Sequence, residues 1–191
     1  MSGALTIPPK VVVFSANTHR PSKARFLATA IVEEVTVITP LDVRFFDLAD
    51  AGPGVGAFTR AELPPQALEI VEAIESADAL IVSAPVHKGS YPGLFKHLID
   101  FVDLTTLINK PVLLAAKGGG TRHALVIEHQ LRPLFGFFLA MTVPTAVYAS
   151  DADFSDHVIV DPVLKERIRI AASQFAVLLK TYERHFVTAA V

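Results

Sequence analysis

The chain has 191 residues, of which 51% are apolar and 19% charged, and a formal net charge of −2. That length holds one good core and is short for two comfortable domains; the composition excludes a disordered chain, and near-neutrality gives nucleic acid nothing to bind. Cysteine is absent, which excludes disulfides, thiolate nucleophiles and cysteine-held metals and fits a reducing cytoplasm.

Residues 1–9 lack a basic stretch leading into an apolar one, so no signal peptide is expected and they read as a flexible start to one domain spanning 1–191. Four short apolar runs rich in β-branched residues then read as buried strands: Val11–Ser15, Ala79–Ala84, Pro111–Ala116 and Val143–Ala149. Val43–Asp47 is a fifth, less regular one. Helical patterns lie between and after them. Ser22–Val35 follows the first strand, and Glu62–Ser76 follows the second after the Gly-rich loop Ala49–Arg60. Gly93–Leu104 comes third, with Leu94, Phe95, Leu98, Ile99 and Val102 on one face. Thr121–Met141 comes fourth, its stripe made of Ile127, Leu131, Leu134, Phe135 and Phe138. Pro162–Arg184 closes the chain, with Asp161 as its cap and Pro at its first position.

Between Arg132 and Asp151 eighteen residues carry no charge, close to the length of a membrane span. Pro133 and Pro144 interrupt that run, and its second half reads as a strand. A buried helix feeding a buried strand is therefore expected, in a soluble protein. Strands alternating with helices predict an α/β fold: a doubly wound, five-stranded parallel sheet of flavodoxin-like type, with helices on both faces. Ligands bind such sheets beyond the carboxyl ends of the strands.

Three loops fall at that edge. Ser15-Ala-Asn-Thr-His-Arg-Pro-Ser22 leads straight into a helix, where backbone N–H groups, hydroxyls and Arg20 can meet an anion. An ordinary N-cap by Ser22 with a solvent-facing Arg20 explains the same residues. Ala84-Pro-Val-His-Lys-Gly-Ser-Tyr-Pro-Gly93 is an irregular connection with backbone N–H groups open to a polar ring edge. Lys117-Gly-Gly-Gly-Thr-Arg-His123 lets backbone come close to a flat ligand.

The second loop, with Ser15…Arg20-Pro-Ser22 upstream and Gly-Gly-Gly-Thr-Arg-His-Ala-Leu downstream, resembles the NAD(P)H-dependent FMN reductase family. The stretches Arg122–Phe135 and Tyr148–Phe154 are most similar to the reductases of two-component alkanesulfonate and methanesulfonate monooxygenase systems. The resemblance runs from about Lys10 to Phe175. It implies that Ser15, Thr18, Arg20 and Ser22 hold the FMN phosphate, and that Pro85, Val86, His87, Lys88 and Ser90 line the pyrimidine and N5 side of the ring. Lys117, Gly118 and Gly119 would close the other edge. The end of the fourth helical pattern, Leu134–Met141, is apolar all the way round and predicts a homodimer, or a tetramer built from two; the resemblance points the same way, with Tyr91 at a subunit interface, and implies a flavin-dependent monooxygenase as partner. The chain departs from the family at Asn17, where a second Gly is common and a left-handed backbone is expected, and at His87, where Tyr is usual.

Hydride transfer from a nicotinamide to flavin N5 needs no side-chain acid or base, so no catalytic side chain is assigned. The seven histidines show no metal-ligand spacing, and Ser90 sits in Gly-Ser-Tyr-Pro-Gly, not in a nucleophile elbow. A quinone or azo reductase on the same fold is the nearest alternative. A flavodoxin-type electron carrier is another, although such carriers are commonly far more acidic than −2.

Overall fold

The computed structural model describes residues 7–182. Most of the expected N-terminal stretch, residues 1–6, and the expected last residues of the closing helix, 183 and 184, lie outside that range. From Pro9 onward the backbone is tied to the sheet, since the Pro9 carbonyl accepts a hydrogen bond from the Asp42 N–H at 3.0 Å.

The sheet is built from β1 (Lys10–Ser15), β2 (Asp42–Asp47), β3 (Ala79–Pro85), β4 (Pro111–Lys117), β5 (Met141–Thr142) and β6 (Val147–Ala149). All pairings are parallel, in the order β2-β1-β3-β4-β5, with β6 also on β4. That is the doubly wound flavodoxin-like order anticipated above. The connections run through α1 (Lys23–Ile38), α2 (Pro65–Ser76), α3 (Gly93–Ile99) and α4 (Arg132–Phe137), and a short hairpin of β7 (Phe154–Ser155) and β8 (Val158–Ile159) precedes α5 (Pro162–Tyr182).

Because side chains alternate along a strand, the apolar runs feed two cores. Val12, Phe14, Leu80, Val82, Val112 and Leu114 face α2, α3 and the 127–138 segment. Val11, Val13, Ala79, Ile81, Leu113 and Ala115 face α1 and α5. Among the described residues no helix is long and apolar enough to cross a membrane.

Several expected helix boundaries move. The second helix starts at Pro65, not Glu62, because Pro64 is extended (ψ 153°) as a residue before proline must be. The third ends at Ile99, and Leu94 on its expected inner face is 44% exposed. The fourth is not one helix. A π-helical turn at Ile127–Leu131, closed by the Arg132 N–H on the Ile127 carbonyl, precedes α4, and Pro133 explains it. A proline ring in a regular helix clashes with the carbonyl four residues back, and a wider turn there gives it room. The apolar stretch after Phe137 is also not helical: Leu139 has φ 56° and Met141 begins β5.

The fifth strand is broken at Pro144. Val112 pairs with Thr142 and Ala115 with Val147, so residues 143–146 lie opposite residues 113–114. Arg132 holds this bulge. Its guanidinium donates to Thr142 Oγ1 (2.8 Å), the Val143 carbonyl (3.0 Å) and the Pro144 carbonyl (3.2 Å), and it pairs with Glu128. Arg132→Ala is expected to cost about 2 kcal/mol in chemical denaturation, because three acceptors lose their donor. Its bond to Arg132 also holds Glu128 below the usual carboxylate range. The folded value lies below the unfolded one, so this pair's contribution is present above about pH 4.3 and is lost as pH falls through the folded value. The Arg132→Ala penalty should therefore shrink on acidification.

Candidate flavin site

The carboxyl ends of β1, β3 and β4 meet at one edge, and each loop begins as a continuation of the ladder. The N–H groups of Ala16, Val86 and Gly118 donate to the carbonyls of Ser83, Lys117 and Ala149 at 2.8, 2.8 and 2.9 Å. Ser83 Oγ donates to the Ala24 carbonyl at 2.8 Å, which fixes the first turn of α1 over the strand ends.

Between these loops lies a cavity of about 300 Å³ lined by Asn17, His19, Pro21, Ser22, Lys23, Ala24, Pro85, Val86, His87, Lys117, Gly118 and Gly119. Larger hollows exist among the described residues, one of about 480 Å³ between α1, α5 and the β7–β8 hairpin, away from the strand ends. Of the residues expected to contact the ligand, the cavity gathers Ser22, Pro85, Val86, His87, Lys117, Gly118 and Gly119. Ser15, Thr18, Arg20, Lys88 and Ser90 do not line it.

Ser15 is fully buried, and its Oγ donates to Asn17 Oδ1 at 2.5 Å. Asn17 Nδ2 in turn donates to the His19 carbonyl at 2.9 Å, and the Asn17 carbonyl accepts from Ala49 N–H at 3.0 Å. The expected left-handed backbone at Asn17 is not found. Its side chain organises the turn instead, a task glycine cannot perform. Thr18 is exposed.

Arg20 is held from below by two carboxylates. Its Nε donates to Asp47, which is buried, and its Nη2 to both oxygens of Asp50 at 2.8 Å, and among the described residues Nη1 has no hydrogen-bond partner. Arg25 shares the same Asp47 oxygen at 2.8 Å while lying over the Phe45 ring. Neither Asp47 nor Asp50 was anticipated from sequence, because only the β1–β2 register brings their strand end to the first loop.

Ser22 occupies the N-cap of α1, yet its hydroxyl makes no capping bond, and there is no acidic residue in the first turn. The positive end of a long helix is thus left open toward the cavity beside a free hydroxyl. On the second loop, His87 and Ser90 exchange backbone bonds (2.7 and 3.1 Å) around a tight turn with Lys88 at φ 53° and Gly89 at φ 85°. Lys88 therefore stands exposed at a hairpin tip, and Ser90 Oγ meets Gln130 Oε1 at 3.2 Å.

The third-loop glycines differ in what they permit. A Cβ on Gly118 would fall 2.1 Å from the Tyr148 hydroxyl, which donates to the Gly120 carbonyl at 2.5 Å. Gly118 is thus needed by the protein's own packing. A Cβ on Gly119 would meet no atom closer than 3.7 Å, so nothing in the protein demands a glycine there.

A positive helix end, a free hydroxyl and a glycine edge fit a phosphate joined to a flat ring, and FMN is such a molecule. The model of the NADPH-dependent FMN reductase family matches residues 9–155. The chain belongs to that family. An FMN reductase (NADPH) of Pseudomonas aeruginosa is 50% identical over 175 residues, covering 91% of this chain and 94% of that protein. An NADH-dependent FMN reductase, SfnF, of Pseudomonas fluorescens is 51% identical over 176 residues, 92% of this chain and 94% of that one. The X-ray structure of an oxidoreductase from Corynebacterium diphtheriae superposes with a TM-score of 0.81 at 34% identity, covering 91% and 98% of the two chains. The reductase is thus an oxidoreductase that works with FMN and NAD(P)H.

Two glycine substitutions should separate packing from ligand approach. Gly119→Val is expected to leave thermal unfolding near wild type and to abolish FMN binding in a fluorescence titration. Gly118→Ala should lower the melting temperature by displacing Tyr148, with partial rescue in the Gly118→Ala/Tyr148→Phe double variant.

Proposed function

We propose that the reductase binds FMN in the strand-end cavity, reduces it with NAD(P)H and passes the reduced flavin to a flavin-dependent monooxygenase of organosulfur (sulfonate) metabolism. The observation that carries the site is the open α1 N-terminus with its free Ser22 hydroxyl, facing Gly119 across the cavity. The similarity of Arg122–Phe135 and Tyr148–Phe154 to sulfonate-system reductases supports the choice of partner. FMN supplies the hydride acceptor at N5, and the protein supplies position and field. Ser22, with the first-turn N–H groups of α1, holds the phosphate, and Arg20 reaches it with its free Nη1. Pro85, Val86 and His87 set one edge of the ring plane; Lys117, Gly118 and Gly119 set the other. Ser15 acts one step back, by fixing Asn17. Thr18, Lys88 and Ser90 serve at the rim.

Steady-state oxidation of NADH and NADPH with FMN, riboflavin and a quinone offered side by side tests the activity. FMN is expected to be preferred, and preference for the quinone would favour the alternative reductase reading. Arg20→Ala should weaken FMN by about tenfold or more and riboflavin little, since a charge-assisted contact to phosphate is worth about 1.5–3 kcal/mol. Equal losses for both flavins would remove Arg20 from the phosphate site.

Self-association belongs to the same reading. Phe137 and Leu139 are 68% and 64% exposed, and beside them runs a groove of about 450 Å³ lined by Tyr91, Leu104, Leu134 and Phe138 among others. Large apolar side chains grouped around an apolar groove mark an interaction surface, and an isologous contact with a second copy would cover it. Phe137→Asp is expected to yield monomers with poor reductase activity, read by light scattering across a dilution series. A wild-type protein that stays monomeric at micromolar concentration would overturn the assembly.

A further inference from the structure

The cavity carries one acidic group on its rim that the flavin reading does not use. Asp151 follows β6, in a turn whose geometry is set by its neighbours. The Ser150 N–H and Ser150 Oγ both donate to Asp153 Oδ2, at 2.6 and 3.0 Å. The Asp151 side chain has no part in that turn. Its partners are two lysines of the cavity wall: Lys23 Nζ and Lys117 Nζ, each 2.7 Å from the same Oδ1. Lys23 is the first residue of α1 and adjoins the free Ser22 hydroxyl. Lys117 ends β4, and its side chain is only 16% exposed. Asp151 Oδ2 lies 3.7 Å from where a Cβ on Gly119 would stand, so the carboxylate borders the cavity itself.

Two ammonium groups beside an open helix N-terminus would make a strong trap for a phosphate dianion. With the carboxylate between them the triad carries one net positive charge, not two, and both amines are directed to an internal partner. We propose that Asp151 is a positioning residue that keeps FMN binding weak, by holding Lys23 and Lys117 away from the nucleotide's phosphate. The inference rests on the cavity being the FMN site. Its chemical consequence suits an enzyme that must release its flavin to another protein: a weaker grip gives faster exchange at equal association rate. The two lysines also hold the Asp151 carboxyl below its ordinary range, so the group stays charged wherever the enzyme works near neutrality.

The test is Asp151→Asn in the full chain, nearly isosteric and at an exposed position. FMN and riboflavin are titrated by flavin fluorescence, with the melting temperature recorded for each variant. Expected is a gain in FMN affinity of about fivefold at low salt, the size of a favourable exposed ion-pair term, with riboflavin changed less than about twofold. The gain should shrink at about 0.5 M salt and should disappear in Asp151→Asn/Lys23→Met. A carboxylate that merely shaped the loop would give the opposite sign. Weaker or unchanged FMN binding, or an equal gain for both flavins, overturns the proposal. Gly119→Val separates its failure from that of the site: if that variant still binds FMN, the cavity reading falls and this proposal with it. If Gly119→Val blocks FMN while Asp151→Asn does not tighten it, only the role of Asp151 is lost.

Discussion

Parallel pairing of strands buried on both faces is the constraint on which the rest of this molecule depends. A parallel ladder obliges each strand to return by a crossover, and it sends every strand end to the same edge. Here Ser15, Pro85 and Lys117 leave the sheet together, with Pro85 paired to Lys117 and Ser15 to Ser83. The ladder then runs one residue further into each loop through Ala16, Val86 and Gly118. The loops that line the cavity are consequently rooted in the most buried part of the protein. The first turn of α1 is rooted there too, through Ser83 Oγ. A site for hydride transfer between two flat rings needs such fixed walls more than it needs a reactive side chain.

Most charges around the strand-end cavity are paired within the protein. Arg20 rests on Asp47 and Asp50, Arg25 on Asp47, and Lys23 and Lys117 on Asp151. Asp47 is fully buried, and a buried carboxylate without cationic partners is strongly disfavoured. The arginines are therefore structural as well as electrostatic: they make the acidic end of β2 tolerable beside the proposed phosphate site. Among the described residues, the Ser22 hydroxyl makes no capping bond and the exposed Lys88 has no ion pair, a smaller attraction than the count of basic residues suggests.

On the other side of the sheet edge, the 121–142 segment shows how one proline propagates. Pro133 sits just past a π-helical turn, and Arg132, next to it, ties that segment to the bulge around Pro144. α4 ends at Phe137, and Phe137 and Leu139 face outward beside the Tyr91 groove, while Phe135 and Phe138 fill the core. A helix running unbroken to Met141, as the apolar pattern implies, would have placed Met141 in no position to pair with Pro111.

While the fifth strand, expected over Val143–Ala149, is split into Met141–Thr142 and Val147–Ala149, four of the five strand positions, the parallel sheet, the helices on both faces and the three loops at the strand ends were legible in the amino-acid sequence. These follow from short range: runs of β-branched residues, helical spacing and glycine at loop starts are written in adjacent positions. Family membership was also legible, in the Pro85–Lys96 and Arg122–Phe135 stretches. Helix and strand interruptions at Pro64, Pro133 and Pro144 were visible as prolines, but whether each one bends, ends or bulges its element depends on what packs against it. Only the tertiary structure decided the partners of the charged groups. Asp47 and Asp50 lie 27 and 30 residues from Arg20, and Asp151 lies 128 from Lys23 and 34 from Lys117, and no local pattern carries such distances. The two glycines of the third loop make the same point at one residue's separation. Gly118 is required by the Tyr148 hydroxyl and Gly119 by nothing in the chain, a difference that exists only once β6 lies beside β4.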